Sequence, residues 1–228
     1  MRTDKKLMEI YDSLLGYFGP RGWWPGDSRF EIIIGAILTQ AISWKNVEKA
    51  ILALKAADVF TEDKILTVSP EKLADIIRPA LYFRQKARKL QVTMDYIRSR
   101  YDCDYDLMFS ETLPVLRNDL LSLWGIGEET ADSILLYAGN YPVFVVDSYT
   151  RRIFYRLGMV DENISYRQMQ QFMQNKVPPD TAIYNEYHAL LVALGANYCK
   201  KSRPDCLNCP LDQFCNKLKI MQENYRGE

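Results

Sequence analysis

Residues 120–136 read LLSLWGIGEETADSILL, and the pair of glycines inside them decides the fold. Gly125 and Gly127 flank one apolar residue, between a segment carrying Leu116, Leu120 and Leu123 and the start of a second helix. Such a stretch forms a tight hairpin joining two helices. Glycines let a backbone approach a ligand closely, and amides at a helix start bind phosphate without reading sequence. A hairpin of this kind also serves as a simple packing device, so by itself it leaves DNA binding open.

Outward from the hairpin, helical periodicity runs along almost the whole chain. Ile10, Leu14 and Phe18 recur at helical spacing, as do Val47, Ile51 and Leu54, then Leu90, Met94 and Ile97, and later Tyr184, Tyr187, Leu191 and Leu194. Ser28 with Glu31 predicts a capping box, and Ser69 before Pro70 predicts an N-cap with proline at the first helical position. The expected fold class is all-α. One strand-like run, YPVFVV at 141–146, is too short and isolated to suggest a sheet, and the change of character at Gly139–Pro142 marks a candidate domain crossing.

Composition bounds the function. The 228 residues are 48% hydrophobic and 25% charged, enough for one large core or two modest ones. Lysine plus arginine equals aspartate plus glutamate at 29 each, so any polyanionic partner must be met by a local basic patch. The N-terminus lacks a leader-like apolar core and no run of about 18 apolar residues occurs, which sets a cytoplasmic expectation, nucleoid-associated in a bacterium or archaeon, with no membrane partner.

The most specific chemistry lies near the C-terminus. Cys199, Cys206, Cys209 and Cys215 form C-x6-C-x2-C-x5-C, leaving Cys103 outside as an expected core residue. Disulfides suit a secreted chain rather than this one, whereas tetrahedral zinc and a [4Fe-4S] cluster both take four thiolates, and spacing does not separate the two. Lys200, Lys201 and Arg203 sit in the longest loop between cysteines, as phosphate contacts or as a solvated surface.

The hairpin and the cysteine loop together resemble the endonuclease III family of helix-hairpin-helix DNA glycosylases. The resemblance runs from FEIIIGAILTQAISWKNVEKAI through LYFRQKARKL, the hairpin and VVDSYTRRI to the last cysteine. It implies two all-helical domains with a DNA-binding cleft between them. The six-helix barrel would span 26–140, and 1–25 with 141–228 would form a discontinuous domain carrying the cluster loop. It also implies a [4Fe-4S] cofactor in place of zinc, double-stranded DNA with damaged bases as partner, and a monomer.

Residue by residue, the family's Schiff-base lysine follows the second glycine by two positions, before a threonine. Here Glu129 stands there, before Thr130. A carboxylate forms no imine, so the covalent lyase route is lost at this position. Glu129 tunes the pocket, caps the helix or faces solvent. The family's aspartate is retained as Asp147, positioned equally well to cap the following helix, and the resemblance assigns it to stabilising the sugar cation and activating water. Leu81 matches the wedge that enters the duplex, with Tyr82 and Phe83 as neighbours that blur the choice, and Gln40 matches the gap-filling glutamine. Lys86, Arg88, Lys89, Arg151 and Arg152 are candidate phosphate contacts, and His188 is assigned no catalytic role.

Replacing lysine by glutamate shifts the pocket towards negative charge, which favours a cationic base. Trp23, Trp24 and Trp44 are the candidate aromatic faces for it. RGWWPGD, Trp44 and the GIGEET stretch are most similar to the 3-methyladenine glycosylase branch, implying a monofunctional enzyme that removes 3-methyladenine and 7-methylguanine. Mismatch thymine or uracil removal is the runner-up, and a non-catalytic iron-sulfur DNA-binding protein is the alternative of another class. An adenine glycosylase is disfavoured, because Gly35 stands at its acid position and the chain ends soon after Cys215.

Overall fold

A computed structural model describes residues 3–215. Among them are twelve α-helices and no strand: α1 (Lys5–Phe18), α2 (Arg29–Leu38), α3 (Trp44–Ala56), α4 (Glu62–Thr67), α5 (Pro70–Ile76), α6 (Phe83–Tyr101), α7 (Tyr105–Met108), α8 (Leu113–Ser122), α9 (Glu128–Ser133), α10 (Ser148–Arg156), α11 (Tyr166–Gln174) and α12 (Thr181–Asn197). The chain is all-helical, as the periodicity predicts. No described helix is long and apolar enough to cross a membrane. The chain divides into two compact units, one formed by Trp24–Tyr141 and the other by the segments on either side.

In the unit Trp24–Tyr141, α2 is the central helix, packed against α3, α6 and a π-helical segment that continues α9 through Ile134–Ala138. Ile33, Ile34, Ile37 and Leu38 have no exposed surface, and each such burial contributes roughly 1.5–3 kcal/mol. Ser28 Oγ accepts from Glu31 N at 3.1 Å, but the expected capping box is only half made. The Glu31 carboxylate is buried and turns instead to Lys55 Nζ, 2.9 and 3.0 Å from its two oxygens, because a buried charge needs a partner more than the helix start needs a second cap. Ser69 caps α5, with Pro70 at its first position, as expected. Arg117 on α8 clamps the buried Asp132 on α9 through two bonds of 2.7 and 3.0 Å, fixing the hairpin arms. Cys103 is not a core residue. It lies half-buried in the turn after α6 with φ 61°, where the chain leaves the helix before α7 begins.

In the other unit, α12 packs against α1 and α10, and Tyr187 Oη donates to Leu7 O at 2.8 Å. Val143, Phe144, Val145 and Val146 are buried in a segment without regular secondary structure. Their strand-like composition builds no sheet because side chains of α11 take the backbone groups. Phe144 N donates to Gln174 Oε1 at 2.9 Å, and Gln170 Nε2 donates to Phe144 O at 2.8 Å.

Candidate functional site

The hairpin glycines do different work. Gly125 has φ +81°, and a Cβ there would lie 2.5 Å from Lys89 Cε, so both backbone and space demand glycine. Gly127, the N-cap of α9, has ordinary φ and nothing within 4 Å of where a Cβ would stand. The protein interior gives no reason for glycine there, and open space above helix-start amides suits an external ligand. Glu128 and Glu129 open α9, with Glu129 exposed.

Gln40 is brought to the hairpin. Its Nε2 donates to Thr130 Oγ1 at 2.7 Å, and its Oε1 accepts from Lys89 Nζ. Burial lowers the Lys89 pKa, and its amine is engaged with Gln40. Leu81 and Tyr82 form an exposed step before α6, 52% and 65% accessible, which removes the option of Leu81 as core. Both have positive φ, 48° and 44°, as does Ala41 after Gln40, at 59°. A non-glycine residue so placed costs of order 1–3 kcal/mol and persists only where its surroundings hold it.

Two expected phosphate contacts are engaged inside the protein. Lys86 is buried, with Nζ donating to Leu38 O at 2.9 Å and Ala80 O at 2.6 Å. Burial, with the nearby charge of Lys89, pushes this amine down to about 8. Arg152 donates to Cys199 O at 2.9 Å and Gly195 O at 3.3 Å, so its guanidinium also serves the interior. Arg151 remains exposed at the start of α10. Arg88 is exposed and stacks on Trp124, 4.1 Å from the ring centre. Trp124 precedes Gly125 and is 43% exposed, a surface aromatic that reading for core periodicity does not find.

The tryptophans separate. Trp24 and Trp44 meet edge to face with centroids 5.2 Å apart, whereas Trp23 falls in the other unit. Tyr137 joins the pair at 5.1 Å from Trp24. Nothing in the sequence marks this tyrosine, because it sits on the π-helical segment, whose register differs from the α-helical spacing read from sequence. Below them is Gly35, where a Cβ would stand 2.9 Å from Trp24 Nε1 and 3.1 Å from Cζ2. The indole fills the space that a side chain at 35 would need.

Asp147 is the N-cap of α10, and its two oxygens are divided. Oδ1 accepts from Thr150 N at 2.7 Å and from Thr150 Oγ1 at 2.8 Å. Oδ2 lies 3.8 Å from Nε2 of the buried His188. Burial lowers the His188 pKa, opposed by the carboxylate, so the ring is neutral at pH 7. The one histidine thus stands beside Asp147, a neighbourhood that its position in the sequence does not reveal.

Cys199, Cys206, Cys209 and Cys215 line one cavity of about 30 Å³ with Tyr198, Pro204, Asp205 and Asp212, and none is in a disulfide. As it stands, no group of three or more His, Cys, Asp or Glu side chains among the described residues is arranged to hold a metal ion. The four thiols nevertheless act on one another. Burial and the charges of Cys199, Cys209 and Cys206 push the Cys215 thiol up to about 11. Arg156, also buried, donates to Lys200 O at 2.7 Å and reaches Cys199 Sγ at 3.4 Å, which shapes the loop while Lys200, Lys201 and Arg203 stay exposed.

Residues 34–179 match the model of the HhH-GPD superfamily base excision DNA repair protein. A Methanocaldococcus jannaschii protein named as a DNA repair glycosylase is 44% identical over 211 residues, spanning 92% of this chain and 95% of the relative. A trapped covalent complex of endonuclease III with DNA superposes with a TM-score of 0.80 over 97% of this chain and all of that one, at 23% identity, and supports the fold. The H. pylori 3-methyladenine DNA glycosylase MagIII bound to 1,N6-ethenoadenine aligns with a TM-score of 0.69 and 28% identity over 82% of this chain and 94% of that one. With the glycine hairpin in place and the match spanning most of its length, the chain belongs to the HhH-GPD superfamily of base excision repair DNA glycosylases.

Proposed function

We propose that this glycosylase hydrolyses the N-glycosidic bond of flipped N-alkylated purines, 3-methyladenine and 7-methylguanine, and leaves the abasic strand unbroken. The observation carrying this reading is the aromatic corner over Gly35, where the Trp24 indole, with Trp44 and Tyr137 around it, occupies the space an acid at 35 would take. A cationic purine needs little protonation to leave, because its positive charge already weakens the bond. It gains roughly 0.5–2 kcal/mol from each electron-rich face it meets. The carboxylate at Glu129 in place of an amine supports a monofunctional reaction.

Asp147 supplies the chemistry at the sugar. Thr150 holds Oδ1, which leaves Oδ2, 3.8 Å from His188 Nε2, as the oxygen to meet the developing oxocarbenium charge and the attacking water. As the glycosidic bond breaks, its electron pair moves to the purine and neutralises it. Water oxygen bonds to C1′, and its proton passes to the carboxylate. Gln40 and Leu81 fill and wedge the space left by the flipped nucleotide. Cys199, Cys206, Cys209 and Cys215 would be the ligand set for a [4Fe-4S] cluster, because all four line one cavity. When bound, such a cluster braces the loop and supplies a redox-capable iron centre.

The test is base release from methylated duplex DNA, with bases identified by mass and strand nicking followed in the same reactions. Release of 3-methyladenine or 7-methylguanine without nicking is expected, and Asp147→Asn abolishes it. Release of mismatched thymine or uracil with no alkylpurine overturns the lesion assignment, nicking by the wild type overturns the monofunctional one, and turnover by Asp147→Asn overturns the role of Asp147.

A further inference from the structure

Lys86 is a charged side chain that the reaction as described does not use. It is 1% exposed, and among the described residues no acidic side chain pairs with its ammonium. An apolar residue of the same length would fill this space without desolvating a charge, so what the lysine adds is its N–H donors. They go to two carbonyls far apart in sequence. Leu38 O ends α2, two residues before Gln40, and Ala80 O immediately precedes Leu81.

The backbone of the same residue grips the other side of the step. Lys86 N donates to Tyr82 O at 3.0 Å, so Leu81 and Tyr82 lie between the carbonyls of Ala80 and Tyr82, both of which Lys86 holds. Both residues have positive φ, and both expose large side chains. Such a conformation relaxes unless neighbouring bonds fix it.

We propose that Lys86 is the positioning residue for base extrusion, clamping the turn that carries Leu81 and the end of α2 that carries Gln40 in one register so that wedge and plug enter the duplex together. The proposal rests on the reading of Leu81 as wedge and Gln40 as plug. Lys86 touches neither DNA nor the reacting atoms. It sets where the two side chains that do so are held.

Lys86→Met keeps the length and removes the donors. Its effect is read on two substrates, an alkylated base in duplex DNA and the same base in a single strand, where no partner strand has to be displaced. Excision from duplex drops roughly a hundredfold, the usual consequence of misplacing a working group by about 1 Å, while excision from the single strand is unchanged. A loss of packing alone would lower both. Because the lesion assignment could fail separately, a second readout uses 2-aminopurine opposite a stable abasic analogue, whose unstacking reports wedge entry whatever base the enzyme releases. The wild type raises its fluorescence, and Lys86→Met binds that duplex without the rise. Equal losses on both substrates, no loss on either, or an unaltered fluorescence rise overturns the clamp. Should Lys86→Met fail to fold, Lys86→Arg, which keeps the donors but shifts their reach, goes through the same measurements with the same expectation of a selective duplex defect.

Discussion

The corner over Gly35 and the cap at Asp147 place side chains by opposite means. Around Gly35 the arrangement is made by absence: glycine leaves room, and the Trp24 indole occupies it with Trp44 and Tyr137 at its edges. At Asp147 it is made by double use. One carboxylate oxygen closes the first turn of α10 through Thr150, while the other is turned towards His188. A capping role and a catalytic role for one aspartate are therefore compatible, because each needs only one oxygen. The comparison also separates two kinds of vulnerability. A corner built on space fails when volume is added, and a shared carboxylate fails when either its charge or its cap is removed.

The largest effect should come from the carboxylate. Asp147→Asn keeps a capping oxygen and removes the charge, so base release is abolished, a loss of at least about 10²–10⁴, while the melting temperature barely moves. Asp147→Ala loses the cap as well and costs a further 0.5–2 kcal/mol or so in stability. If the two variants melt alike, the division of labour between the oxygens is wrong. Next comes the corner. Gly35→Ala forces the Trp24 ring aside and costs about 1–3 kcal/mol in stability, with a matching loss of alkylpurine release. An alanine variant as stable and active as the wild type would remove the packing argument. Trp44→Leu keeps bulk but not the electron-rich face, and should weaken the preference for cationic over neutral bases by about 0.5–2 kcal/mol, read as the ratio of kcat/KM for 7-methylguanine and a neutral lesion.

The smallest expected effect concerns His188. Its folded pKa is lowered by burial, so the unfolded chain binds the proton more readily. Stability is therefore lost as pH falls through the unfolded value of about 6.5 and below, and is not affected above it. Melting curves at pH 7.5 and pH 5 should show a steeper loss for the wild type than for His188→Gln. Parallel curves would mean that the ring titrates as it does in the unfolded chain.

Much of the fold was legible because helices announce themselves locally. The periodic residues Ile10, Leu14, Val47, Ile51, Leu54, Leu90, Met94, Ile97, Tyr184, Tyr187, Leu191 and Leu194 all lie buried on helices, and Ser69–Pro70 opens α5. The four cysteines were equally plain, since ligand types and spacing are written in the chain itself. The charged residues were not. Lys86, Arg88, Lys89 and Arg152 share a basic character that suggests phosphate contacts, yet Lys86 and Arg152 serve backbone carbonyls and Lys89 serves Gln40. A cation's partner is chosen by whatever lies across the packed interior, and one-dimensional spacing carries no record of it.

Sequence alone determined that the protein is helical, that a two-glycine hairpin stands at residues 125–127, that four thiols gather near residue 200, and that a carboxylate replaces an amine at Glu129. These are properties of residue type and short-range spacing, for which local sterics and helical period suffice. Only the tertiary structure decided that Trp24 covers Gly35, that Tyr137 joins it from a π-helical turn, that His188 stands beside Asp147, and that a buried lysine joins the carbonyls of Leu38 and Ala80. Each of these depends on contacts beyond one helical turn, most of them between segments tens of residues apart, and there packing geometry, rather than any local preference, selects which groups meet.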